Sequence, residues 1–244
     1  MNKIGFMQSN ICRVTHSYPS PIISCIHKAP HAAEISRITS PSSENRHPKS
    51  FVDESTASNV LKDVHISTQL LNGFLEVAKD NTSKDLETCG VLGAFLKERT
   101  YYVTTLIIPK QDATSSSCQA VNEEEIFAIQ NEQSLVPVGW IHVFPSNKIK
   151  GTFVSSLSSR FIYNIQVMLP EAVAIVMAPT DASRSYGFFR LSDPDGMNIL
   201  RECQERGFHT HQEPVDGTSL YEDCSNIYLN PNLRLEICDL RHLC

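Results

Sequence analysis

Glu87 and His142 are the residues of this chain best placed for hydrolytic chemistry. Glu87 precedes the apolar run Thr88 to Leu96, and His142 follows another, Leu135 to Ile141, so each stands where a buried strand would surface. Adjacent strands could bring this carboxylate and imidazole together as base and metal ligand. A surface Glu and a half-buried strand-end His are the plainer alternative, and the pair alone does not choose between them. A second constellation is Cys203-x5-His209-x-His211. It offers three of the four ligands that a structural zinc takes, unless it is only a core Cys followed by two loop His residues. Asn122-Glu123-Glu124-Glu125 is more simply a helix start, since acidic side chains there match the helix dipole.

These residues need elements to position them. Residues 1 to 58 are rich in Ser, Pro and His without a sustained period, and read as a disordered tail; residues 59 to 244 form the folded domain. Ser67 is a candidate cap for a helix with Leu70, Leu71, Phe74, Leu75 and Ala78 at helical spacing, ending at Asn81. Thr88 to Leu96 and Tyr101 to Ile108 form a hairpin, followed by a polar loop from Gln111 to Gln119 and a helix through Ile126, Phe127 and Ile129. The Val138 to His142 strand leads into a Ser- and Lys-rich loop, 146 to 159, then a helix from Arg160 to Leu169. Strands 172 to 177 and 186 to 191, a helix from Asp195 to Arg206 with Met197, Leu200 and Cys203 inward, and a last strand from Leu233 to Ile237 complete the chain. Strict βαβ alternation is missing, so the pattern predicts an α/β chain of the α+β type, a mixed sheet flanked by helices.

An apolar content of 41% in 244 residues suffices for a sizeable core. The net charge of -6 leaves no electrostatic footprint for nucleic acid. No apolar run approaches the roughly 20 residues of a membrane-spanning helix, and eight scattered cysteines suit a reducing compartment. A soluble, cytoplasmic protein is expected.

Six motifs carry a resemblance. Glu87-Thr88-Cys89-Gly90, Leu106-Ile107-Ile108-Pro109-Lys110-Gln111, Asn122-Glu123-Glu124-Glu125, Gly139-Trp140-Ile141-His142, Met168-Leu169-Pro170-Glu171 and Gly207-Phe208-His209-x-His211 together resemble the AMSH deubiquitinases, in particular the short plant AMSH-like proteins, in order over residues 60 to 241. The resemblance implies an MPN domain of the JAMM type, whose active members are zinc isopeptidases cutting lysine-63-linked ubiquitin chains. In such enzymes two His and one Asp hold a zinc-bound water, a Glu takes its proton, and a Ser helps hold the oxyanion. Carried over, Glu87 matches the base, His142 the first ligand and Ser155 the oxyanion residue. Cys203, His209 and His211 match a second zinc site, and Phe208 a contact to the proximal ubiquitin. Ubiquitin or polyubiquitin is the implied partner, with endosomal sorting machinery and an endosome-associated location also implied.

The match breaks at the first zinc site. Phe144 stands where the second His ligand belongs and Ser158 where the Asp belongs, while the loop from Phe144 to Ser155 is longer than the family's by three residues. Phe cannot coordinate zinc, and a neutral Ser is a poor substitute for a carboxylate. Lys148 and Lys150 add positive charge to the same loop. At the second site the position of the fourth ligand, a His in the family, is Arg160, leaving water or Cys224 as a substitute. Catalytic zinc is expected to be lost and the second site weakened. Agreement fails from Val143 to Ile165 and resumes at Gln166, a contiguous change that a misjoined exon would also produce. Transcripts encoding the segment as written would sink that explanation.

Overall fold

In a computed structural model, residues 60–145, 159–180, 185–205, 211 and 217–241 are described, along with the backbone of two short strands, β1 (Cys12–Thr15) and β2 (Ser36–Arg37). The domain then runs β3 (Asp63–Ser67), α1 (Leu70–Ser83), β4 (Thr88–Lys97), β5 (Thr100–Ile108), β6 (Gln111–Ala113), β7 (Cys118–Ala120), α2 (Glu123–Glu132) and β8 (Val136–Val143). After it come α3 (Ser159–Met168), β9 (Val173–Met177), β10 (Tyr186–Leu191), α4 (Asp195–Glu202), β11 (Tyr221–Asp223), β12 (Ile227–Asn230) and β13 (Glu236–Asp239). The expected class, a mixed sheet flanked by helices, is the one observed.

Eleven strands form one sheet, in the order β11-β10-β9-β8-β4-β5-β3-β12-β2. The far edge of β5 is shared: β3 pairs in parallel with its first half and β13 with its second, and β1 extends β13. Side chains alternate across a strand, so β4 feeds two cores. Leu92 joins Phe74 of α1, Leu106, Ile108, Ile141 and Ile175 in the larger cluster, whereas Cys89 and Val91 join Ile107, Trp140, and Ile126 and Ile129 of α2 on the other face. The β4–β5 hairpin turns at Glu98 and Arg99, both with positive φ (49° and 62°), the left-handed pair of a tight two-residue turn.

Several expected boundaries move for physical reasons. Ser67 ends β3 instead of capping α1, though its Oγ accepts the Gln69 N–H at 3.2 Å. The helix runs past Asn81 to Ser83, and Asn81 turns its amide to the Glu87 carbonyl (3.4 Å) and the Thr88 hydroxyl (3.1 Å). The polar 111–119 stretch is a hairpin, β6 with β7. Helix α4 stops at Glu202, leaving Cys203 half-buried instead of inward. The segment expected to lack structure contributes β1 and β2, which pair with the otherwise open edges of β13 and β12. The 146–158 loop lies outside the described residues.

Two polar clasps close the domain. Gln166 of α3 grips β10 with both ends of its amide, donating to the Leu191 carbonyl and accepting from the Leu191 N–H, each at 2.9 Å. The Glu171 Oε1 accepts from both the backbone N–H and the Nζ of Lys62, each at 3.0 Å, joining chain positions 109 apart. Burial by itself would raise the Glu171 pKa, but these two donors outweigh it and hold the carboxyl below its usual value. The resulting stabilisation is complete above the ordinary carboxylate pKa and is lost as the pH falls through the lower, folded-state one. Glu171→Gln is therefore expected to cost about 1.5 kcal/mol at neutral pH and less at acidic pH, once the carboxyl has titrated in the folded state, as measured by urea unfolding at both. An equal cost at both pH values would contradict this account.

Candidate functional site

Strand pairing sets the site. Thr88 lies opposite Val143 and Cys89 opposite His142, so Glu87 and His142 are diagonal neighbours on one face of the sheet. The Glu87 Oε2 stands 3.0 Å from His142 Nε2, with both side chains at most 3% exposed. The contact lacks the alignment of a hydrogen bond, so among the described residues Glu87 Oε2 and both ring nitrogens of His142 have no hydrogen-bond partner. The backbone of Glu87 is fixed on both sides, its N–H donating to the Thr114 carbonyl at 2.9 Å and its own carbonyl accepting from Asn81. The carboxylate and imidazole singled out in the sequence are thus brought together.

Phe144 closes the corner. Its N–H donates to the Met177 carbonyl at 2.9 Å, which prolongs the β8–β9 pairing, and its ring lies 4.6 Å from the His142 ring at 37°. The side chain is 4% exposed and belongs to the larger core cluster. Ile162 is equally buried, and Phe161 is half-buried against Trp140 with ring centroids 4.4 Å apart. The described apolar residues of the divergent segment are packed.

Behind Glu87 lies a cluster that sequence reasoning did not single out. The Gln111 Oε1 accepts the Cys89 N–H at 2.9 Å and stands 2.9 Å from the Cys118 sulfur, while its Nε2 donates to the Pro109 and Cys89 carbonyls at 3.0 and 3.3 Å. The Cys89 and Cys118 sulfurs are 3.0 Å apart. Burial and the neighbouring Cys118 push the Cys89 thiol well above its usual pKa. The only sequence signal for this cluster was membership of Cys89 and Gln111 in the shared motifs.

Of the other expected residues, the described structure places Cys203, His211 and Cys224. Cys203 follows α4 and is half-buried, as is His211; Ser155, Ser158, Phe208 and His209 lie outside the described residues. Cys224, the possible substitute ligand, follows β11 and prolongs its pairing with β10, its N–H on the Phe188 carbonyl. Burial pushes its thiol up to about 12 although Arg190 pulls the other way, and zinc takes the thiolate.

Residues 59–159 match the family described as JAB1/Mov34/MPN/PAD-1 ubiquitin protease. AMSH-like ubiquitin thioesterase 2 of Arabidopsis thaliana is 55% identical over 229 residues, 93% of this chain and 100% of the relative. The chain belongs to the AMSH-like family. Its domain is an MPN domain. AMSH-like ubiquitin thioesterases 1 and 3 of the same plant are 52% and 45% identical, matching 79% and 91% of this chain. The chain spans 37% and 43% of the length of these two relatives.

JAMM proteins are generally zinc-dependent, so the AMSH-like corner can be tested for fit. Neither ring nitrogen of His142 has a hydrogen-bond partner among the described residues, and Nε2 faces the Glu87 carboxylate, so the imidazole has the chemistry of a ligand with a base beside it. One imidazole is nevertheless far short of three protein ligands, and the neighbour along the strand is a phenyl ring packed on it. Among the described residues no group of three or more His, Cys, Asp or Glu converges on one point. A catalytic zinc does not fit these residues.

Proposed function

We propose that this AMSH-like chain is a non-catalytic MPN module that recognises ubiquitin or polyubiquitin. The observation that carries the reading is the Phe144 ring, buried against His142 where the family pattern has a metal ligand. Without that ligand, Glu87 has no metal-bound water to deprotonate, and Ser155 has no developing oxyanion to hold. The support for ubiquitin as partner is the family itself, with Phe208 as the contact residue. Residues 59–244 form the module, and the 1–58 segment is its extension. Residual zinc, where it binds, is held by Cys203, His209 and His211. Among the described residues no helix is long and apolar enough to cross a membrane, and the family resemblance supports a cytoplasmic site of action next to the endosomal sorting machinery.

Purified full chain incubated with lysine-63-linked diubiquitin is expected to bind it without cleaving it, and to hold at most one zinc per chain. Cleavage abolished by a chelator would overturn the proposal, whereas failure to bind would remove the module reading. Phe144→His together with Ser158→Asp is expected to regain little activity until the three additional loop residues are also removed. Recovery to a family-like rate by the double substitution alone would show that the loop length is immaterial.

A further inference from the structure

We propose that Cys89 and Cys118 form an oxidisable thiol pair, converted by a low-molecular-weight disulfide into a cross-link that clamps the β6–β7 hairpin onto β4. The two sulfurs are 3.0 Å apart, and bond formation requires them to close by about 1 Å. Both thiols crowd the same acceptor, Gln111 Oε1, at 3.4 Å from Cys89 and 2.9 Å from Cys118, so one amide oxygen holds the two sulfurs side by side. The site is built by two separate elements, since Cys89 is the second residue of β4 and Cys118 begins β7. Its position matters because the same hairpin end supplies the Thr114 carbonyl that fixes the Glu87 N–H. A cross-link would tie that end of the hairpin to the strand carrying Glu87.

Cys118, 8% exposed against 0% for Cys89, is the entry point. Its thiolate attacks one sulfur of the small disulfide; that S–S bond breaks, the first small thiol leaves with a proton, and a mixed disulfide remains on Cys118. The Cys89 sulfur then attacks the Cys118 sulfur, losing its proton, and expels the second small thiol. One S–S bond is broken and one formed. The two protein thiols are oxidised by two electrons, and the small disulfide is reduced to two thiols. This inference stands on the thiol geometry and is independent of whether the chain cleaves ubiquitin.

The test exposes the reduced full chain to glutathione disulfide, blocks remaining thiols with iodoacetamide under denaturing conditions and maps the peptides. The expected product is a Cys89–Cys118 linked peptide pair, accompanied by a rise in melting temperature of about 10 °C that dithiothreitol reverses. Cys118→Ser is expected to show neither. Cys89 and Cys118 recovered alkylated while other cysteines are oxidised, either of them linked to a different cysteine, or the linked pair without a rise in melting temperature would each overturn the proposal. Peptide mapping is done on the unsubstituted chain, so it decides the pairing even if Cys118→Ser folds poorly.

Discussion

Replacing Phe144 with Ala is expected to lower stability by about 4 kcal/mol, the cost of removing a buried aromatic ring from a core that cannot collapse around the space. The ring is 4% exposed, lies against His142 and belongs to the cluster that contains Val143, Ile162 and Ile175. Phe144→His separates packing from coordination. The imidazole is smaller and brings two polar nitrogens into an apolar setting, so it should cost about 2 kcal/mol. It should not gain a zinc, because His142 and one new imidazole still lack the third protein ligand. Urea unfolding of both variants, with and without zinc, checks this. A Phe144→Ala cost below about 0.5 kcal/mol would mean that the ring is not part of the core, and the closed-corner reading would lose its support. Stoichiometric zinc uptake by Phe144→His with a matching gain in stability would do the same.

That expectation also locates where the sequence was legible. Long apolar runs with short polar breaks gave β4 and β5 almost to the residue and the middle of β8, because strands buried on both faces read as continuous apolar runs and a two-residue turn at Glu98–Arg99 closes the hairpin. The meeting of Glu87 with His142 follows from β4 pairing with β8, and the motifs named both residues. The short strands β3, β11 and β12 were not visible: each has three to five residues and owes its state to a neighbouring edge more than to its own pattern. The Gln111 cluster was hidden for a different reason. Its residues are polar or small and far apart in the chain, and only the fold of the β6–β7 hairpin brings Cys118 beneath Cys89. Phe144 could be seen to be the wrong residue for a metal ligand; that it is a well-packed core residue required the structure.

Gly139 shows how a residue inside a functional motif can owe its identity to packing. It lies on β8 between two partners, opposite Leu92 of β4 and Val173 of β9. A Cβ at this position would sit 2.0 Å from the Val173 carbonyl oxygen and 3.0 Å from its Cγ1. The first of these contacts is with backbone, so no rotamer change relieves it; β8 and β9 must separate. That separation would disturb the parallel register from Gly139↔Val173 to Val143↔Met177, which includes His142↔Val176. Gly139→Ala is accordingly expected to cost on the order of 4 kcal/mol or more and to give little folded protein. Gly217→Ala is the control: its φ is +80° but among the described residues nothing lies within 4 Å of the added carbon, so only backbone strain of about 1 kcal/mol should appear. Thermal melts followed by circular dichroism compare the two. If Gly139→Ala melts no lower than Gly217→Ala, the close approach of β8 to β9 is not what requires glycine, and the Gly-Trp-Ile-His motif would need an explanation in recognition instead of in sheet spacing.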